Sequence, residues 1–216
     1  MIVLAIAASV AAFFIGSIPF GYLIGRFFYG TDIRTQGSGN IGAANALRTL
    51  GKRGGIAILL LDAAKGALPV LIAKTFGIPW LSALVAAAAV SGHCFSPWLG
   101  WKGGKGVATA LGAIAGLSWQ AALVWCAAWA LGAGATAYSS VGSLLANVAA
   151  PFALWFFTRE PAYVAYGVYA ALLIIYRHSS NIARLREGRE APLRLLRPWR
   201  RPNEGNGVEA PYSRGS

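Results

Sequence analysis

The sequence predicts an all-α protein that crosses a lipid bilayer several times, and three observations carry that prediction. Only 12% of the 216 residues are charged while 56% are hydrophobic, against about 25% charged in an ordinary soluble domain. Mean hydropathy is +0.55. The apolar runs are continuous and lack the alternation of a barrel strand, so helices must satisfy the backbone inside the bilayer. The net charge of +12 could suggest nucleic acid, but most of the basic residues flank apolar segments. Anionic lipid and anionic substrates are the partners that pattern fits, and nucleic acid is excluded.

Taken in order, the first span covers roughly residues 2–25, with Pro19 bending its second half. It lacks the positive start of a cleavable signal peptide and is long enough to cross. A polar loop follows with Arg26, Arg34, Arg48, Lys52 and Arg53. The second span runs over about 56–73, Gly77-Ile78-Pro79 makes a turn, and a short alanine-rich third span covers about 80–93. A second polar loop, 94–106, carries Lys102 and Lys105, after which Arg159 and Glu160 are the only charges up to Tyr176. Because Lys and Arg favour the cytoplasmic side, both loops and the basic tail from Arg177 belong on one face. An even number of crossings then joins Lys105 to Arg177. Four of about 17 residues fill the stretch at the short end of the spanning range, whereas two leave about 30 apolar residues unused. The prediction is seven transmembrane helices, several short, turning near 116–118, 138–140 and 159–161, with the N-terminus outside and the C-terminus cytoplasmic. Residues 1–187 form one membrane domain and 188–216 a basic tail, partly disordered. Cys94 and Cys126 read as small buried hydrophobes.

Candidate functional residues gather on the predicted inner face. Gly37, Ser38, Gly39, Asn40, Gly42, Asn45 and Arg48 stand in one polar loop. Glycines there let the backbone amides converge, and a concave set of N–H groups beside a guanidinium suits phosphate or carboxylate. The same composition also serves a plain connector. The literal G-x-G-x-x-G match from Gly37 to Gly42 is rejected as a dinucleotide fingerprint, because an apolar helix and not a strand precedes it. His93, Gly103, Gly104 and Lys105 form a second cluster, a lysine between glycines at a helix start. Gly106 stands where a Walker loop needs Ser or Thr, and Lys102 reads as an ordinary flanking charge. His178 and Asn181 share a helix face three residues apart and offer a ring nitrogen and an amide to a hydroxyl-bearing ligand. Ser139, Ser140 and Ser143 lie at a turn. Asp62 and Lys65, three apart within a span, read first as a structural ion pair that holds the glycine loop, and second as substrate contacts.

SGNIGAANALR (38–48), DAAKGALPV (62–70), GHCFSPWLGWKGGKGVAT (92–109), SSVGS (139–143) and RHSSNIARLREGRE (177–190) together resemble the signature blocks of the bacterial membrane acyl-phosphate:glycerol-3-phosphate acyltransferases. Their order and spacing agree over all but about the last 25 residues. The resemblance implies a seven-helix enzyme of the cell inner membrane, with its active site on the cytoplasmic side. Its reaction carries a fatty acyl group from acyl phosphate to the 1-position of glycerol 3-phosphate, giving lysophosphatidic acid and phosphate, with no cofactor and no metal. One departure is Ile41, where many members carry proline.

Under that reading Arg48 and Lys105 hold the acceptor phosphate. Ser38, Asn40 and the Gly37–Gly42 amides hold the donor phosphate and oxyanion, while His178, Asn181 and a loop serine orient the glycerol hydroxyl. The His-x-x-x-x-Asp pair of other glycerol-phosphate acyltransferases is absent, since Trp98 follows His93 at that spacing and Ala183 follows His178. Direct transfer fits better than a covalent serine, which lacks an evident aspartate to orient its base. The alternative is a permease for an anionic phosphorylated metabolite, which would place its polar clusters near the bilayer midplane within repeats.

Overall fold

The structure, a computed structural model, describes residues 1–193. The expected disorder at the far end of the tail falls on residues 194–216, outside the described residues.

The first apolar run is broken where Pro19 has no N–H to donate, into α1 (Ile2–Ser17) and α2 (Phe20–Phe28). The polar loop contains a 3-10 turn at Ile33–Thr35 and the two-turn helix α3 (Ala43–Thr49), and leads directly into α4 (Gly51–Lys74). There follow α5 (Pro79–Cys94), α6 (Val107–Leu117), α7 (Trp119–Thr136), α8 (Ser139–Thr158), α9 (Pro161–Arg177) and α10 (Ser179–Arg186). No strand occurs among the described residues. The turns predicted in the uncharged stretch fall at Ser118, Ala137-Tyr138 and Arg159-Glu160. Among the described residues, four stretches are long and apolar enough to cross a membrane: Ile2–Phe28, Gly51–Lys74, Pro79–Leu99 and Ser139–Thr158.

Helix α6 is shorter than a spanning helix, reaching about 16 Å over its 11 residues. The loop ahead of it folds back into the bundle: Ser96 Oγ donates to the Ser17 carbonyl at 2.7 Å, and Trp98 Nε1 donates to Ser17 Oγ at 2.8 Å. Irregular backbone is tolerated at such depth only where protein or a cavity surrounds it.

Small residues bring the helices together, as bilayer packing requires. A Cβ added at Gly66 of α4 would lie 2.1 Å from the Thr109 carbonyl, and one at Gly112 of α6 would lie 1.8 Å from that of Ala63. The buried pair expected at Asp62 and Lys65 is present, 2.7 Å apart. Its lysine serves the chain break more than the glycine loop. Lys65 Nζ donates to the Ile18 carbonyl at 2.8 Å and lies over the Phe20 ring, adding a donor to a carbonyl that the extended residue before Pro19 turns out of the helix and that Phe20 N–H also meets at 3.1 Å. The loop is reached indirectly, because α2 packs at Gly21 against the backbone of Ile41. Ile41 is buried in a small apolar cluster with Ile24, Ile33, Leu50 and Ile58. Of the two cysteines, Cys94 is buried as expected, whereas Cys126 is exposed, which corrects the reading of that one as a buried hydrophobe; both thiols are free. Cys126 lies on the side of α7 that borders the cleft described next.

Candidate active site

A cleft of about 630 Å³ opens between α3, α4, α6, α7, α8 and the α9–α10 junction. Its lining combines apolar Leu59, Leu111, Trp125 and Trp129 with polar Ser38, Arg48, Lys105, His178 and Asn181. Asn40, Gly42, Asn45, His93, Ser140 and Ser143 also line it, so most of the predicted site residues meet in one cavity. Gly37, Gly39, Gly103 and Gly104 are not among its lining residues, although Gly39 lines a smaller chamber alongside.

The glycine loop does not present the expected array of amides. Ser38 N–H donates to Asn45 Oδ1 at 2.8 Å, Gly39 N–H to the Gln36 carbonyl at 2.9 Å and Gly42 N–H to Asn40 Oδ1 at 2.9 Å. Asn45, 2% exposed, also donates from Nδ2 to the carbonyls of Ile33, Gln36 and Asn40. Its amide is thus the knot of the loop. Gly37 and Gly39 adopt positive φ, 57° and 70°, where other residues are strained. These two glycines make the loop's path possible, and Ser38 and Asn40 are the groups the loop turns toward the cavity.

The second cluster is corrected in the same way. Gly103 N–H donates to the Cys94 carbonyl and Gly104 N–H to that of His93, so neither amide awaits an anion. Their carbonyls accept from Arg177, Gly103 at 2.8 Å and Gly104 at 3.0 Å. A Cβ at Gly104 would lie 2.1 Å from His93 Nε2, and one at Gly103 would lie 2.0 Å from the His93 carbonyl. These glycines make room for His93 and leave Lys105 as the polar contribution of the loop. His93 Nδ1 stands 3.7 Å from Asp62 Oδ1, and both residues line the cleft. The aspartate beside a histidine that the sequence did not suggest is therefore present, on the neighbouring span.

Lys105 Nζ donates to Asn181 Oδ1. Asn181 Nδ2 donates to Glu190 Oε1 at 2.6 Å, Ser140 Oγ donates to the same oxygen at 2.9 Å, and Arg184 Nε donates to Glu190 Oε2 at 2.7 Å. Both ends of the Asn181 amide are engaged within the protein, so Asn181 also positions Lys105. Ser143 Oγ donates back to the Ser139 carbonyl at 2.8 Å, a bond within the helix turn. Burial lowers Lys105 to about 8, against the opposing charge of Glu190. Burial would push the Glu190 carboxyl up, but hydrogen bonds from Asn181, Arg184 and Ser140 outweigh it and hold the group below the ordinary carboxylate range. His178 is lowered to about 4 by burial and then by the Lys105 charge, so its ring is neutral at pH 7. Its Nδ1 lies 2.8 Å from the Ile174 carbonyl. A carbonyl only accepts, so Nδ1 carries the proton and Nε2 keeps a lone pair.

Glu190 and Arg184 were missed in the sequence, where they sat in a charge-rich run that read as tail. The available signal was Gly188, a glycine just past a helix end. With φ of 66° it turns the chain back over the cleft, where Glu190 is 7% exposed. Arg48 then donates to the Ala191 carbonyl at 3.1 Å and Leu193 N–H to that of Ala137 at 2.7 Å. The site therefore draws on residues beyond 187, the expected edge of the membrane domain.

A helical membrane protein with a cleft that joins cationic and hydroxyl-bearing groups to apolar side chains has the lining of the class that handles amphiphiles with anionic headgroups. Residues 6–188 match the glycerol-3-phosphate acyltransferase family model. A glycerol-3-phosphate acyltransferase of Gluconobacter oxydans (strain 621H) is 48% identical over 204 residues, covering 91% of this chain and 96% of that protein. Crystal structures of PlsY (YgiH), an integral membrane glycerol 3-phosphate acyltransferase, superpose with TM-scores of 0.83 for the glycerol 3-phosphate form and 0.81 for the lysophosphatidic acid form. Each is 39% identical, with 87% of this chain and 94% of that one covered. This chain belongs to the glycerol-3-phosphate acyltransferase family. It is an acyltransferase of phospholipid synthesis and not a permease.

Proposed function

We propose that the protein transfers a fatty acyl group from acyl phosphate to the 1-hydroxyl of glycerol 3-phosphate, releasing lysophosphatidic acid and inorganic phosphate. The observation that carries this reading is the continuity of one cleft from Lys105, Arg48 and Ser38 to an apolar wall of Leu59, Leu111, Trp125 and Trp129. The acyl chain lies along that wall, with Ser38 and Asn40 at the donor phosphate and Lys105 and Arg48 at the acceptor phosphate. Neutral His178 accepts a hydrogen bond from the attacking hydroxyl through Nε2. The hydroxyl oxygen attacks the acyl carbon, the bond from that carbon to the phosphate oxygen breaks, and the hydroxyl proton leaves on the phosphate. An acyl phosphate is already activated, so positioning and charge neutralisation supply most of the acceleration.

All seven apolar segments cross the inner membrane in this reading, with the N-terminus outside and the cleft's polar end in the cytoplasm, where basic loops belong. The test is purified protein in lipid with labelled glycerol 3-phosphate and either palmitoyl phosphate or palmitoyl-CoA. Lysophosphatidic acid from the acyl phosphate alone is expected; product from the CoA ester overturns the donor. Lys105→Ala and Arg48→Ala should each lower turnover by at least about 100-fold without unfolding the protein.

A further inference from the structure

Arg177 is the last residue of α9, a place where a basic side chain ordinarily serves its own helix end or the membrane interface. Here it reaches across to another segment. Its Nε donates to the Gly104 carbonyl at 3.0 Å and its Nη2 to the Gly103 carbonyl at 2.8 Å, with the guanidinium 5.5 Å from the centre of the Phe95 ring. One side chain thus holds the carbonyls of the two residues that directly precede Lys105. Their N–H groups are held from α5, Gly103 by the Cys94 carbonyl at 3.2 Å and Gly104 by the His93 carbonyl at 3.0 Å. The loop is therefore fastened to α5 through its donors and to α9 through its acceptors. The same junction meets Lys105 again at its amine, where Asn181 Oδ1 accepts from Nζ. His178, next after Arg177 in the chain, lines the cleft with Lys105.

We propose that Arg177 is a positioning residue, which clamps the Lys105 loop to the end of α9 and so fixes the separation of Lys105 from His178. The inference rests on the acyltransfer reading above, in which Lys105 holds the phosphate and His178 the attacking hydroxyl of one glycerol 3-phosphate molecule. Both ends of a small substrate are then met by groups on different segments, the loop 94–106 and the α9–α10 junction. Arg177 joins those segments through the loop's backbone, so their register does not depend on the flexible lysine stem. An error of about 1 Å at such a point costs on the order of 100-fold in rate. Arginine suits the task because its planar fork presents Nε and Nη2 in a fixed geometry to two neighbouring carbonyls. A lysine carries the same charge on a single nitrogen and lacks the fork.

The experiment introduces Arg177→Lys, which keeps the charge and loses the fork, into the full-length protein and into its Lys105→Ala variant. In the first, kcat/KM for glycerol 3-phosphate should fall by about 30-fold, while the KM for palmitoyl phosphate stays within about twofold. In the Lys105→Ala background the same change should cost less than about threefold, because the group it places is gone. Equal losses in both backgrounds overturn the proposal, since an arginine that only stabilises the fold costs the same with or without Lys105. Equal increases in both substrates' KM overturn it too. Hydrogen exchange reads the clamp without turnover. The segment 101–107 should exchange faster in Arg177→Lys while α7 and α8 keep their protection. Unchanged exchange there refutes the clamp, and so does faster exchange spread through the whole bundle. An unsubstituted protein that makes no lysophosphatidic acid would refute the acyltransfer reading, and the exchange measurement would still decide the clamp.

Discussion

The two glycine-rich loops look alike as sequence and work by opposite means. In the loop of Gly37 and Gly39 the glycines supply backbone conformation: both have positive φ, and the segment is tied by the Asn45 amide to the carbonyls of Ile33, Gln36 and Asn40. In the loop of Gly103 and Gly104 the glycines supply empty volume, because any side chain would enter the space of His93. Neither loop offers its Ser38, Gly39, Gly42, Gly103 or Gly104 amides to an anion, since all five donate within the protein. Glycine content marks where the chain is constrained; what the constraint serves depends on the neighbours.

The comparison can be broken or sharpened by substitution. The largest effect is expected for Gly104→Ala, which must displace the His93 ring at the cleft and lower kcat/KM by about 100-fold. Trimming the ring in Gly104→Ala/His93→Ala should return the melting temperature toward that of His93→Ala alone, as a volume conflict requires. Asn45→Ala removes the knot of the first loop and should destabilise the protein by about 3 kcal/mol, read by thermal unfolding in detergent. An unchanged melting point would deny Asn45 its structural role.

A pH profile bears on the lysine the second loop delivers. Lys105 titrates at about 8, and its charged form, present below that pH, is the one that attracts phosphate. The kcat/KM should therefore fall by about tenfold per pH unit above that point, and Lys105→Arg should remove the basic limb. The smallest effect is expected for Gly39→Ala, an exposed position where positive φ costs about 1 kcal/mol and no ring stands to be moved. Turnover should fall by no more than about fivefold.

Helix order was legible in the sequence because charge and hydropathy alone separate the segments. Turns came within a few residues, since Ser118, Ala137 and Arg159 each end a continuous apolar run. The shortness of α6 was not legible: no residue between 95 and 106 announces that this loop returns to Ser17. Most of the cleft's polar lining was readable, because polar groups cluster in the sequence at the ends of the spans. Roles were harder. Asn45, Asn181 and Ser143 have the same donors and acceptors whether they hold substrate or hold the protein, and only their partners decide. Glu190 escaped because its burial depends on the turn at Gly188 and on Arg184, Asn181 and Ser140, which converge only in the fold.

The bond from Lys65 to the Ile18 carbonyl bears on how the chain enters the bilayer. Helix α4 carries Asp62 about 16 Å and Lys65 about 21 Å from its start, deep enough that either charge alone opposes insertion. As neighbours one turn apart they enter as a neutral pair, yet the lysine finds its second partner only on a helix synthesised earlier. The broken first helix therefore supplies the acceptor that the lysine meets once the two spans pack together. A chain with Pro19 replaced by alanine would let Ile18 join a continuous helix. It would weaken that handshake at the moment of assembly, a defect to be read in the yield of inserted protein more than in the enzyme that survives.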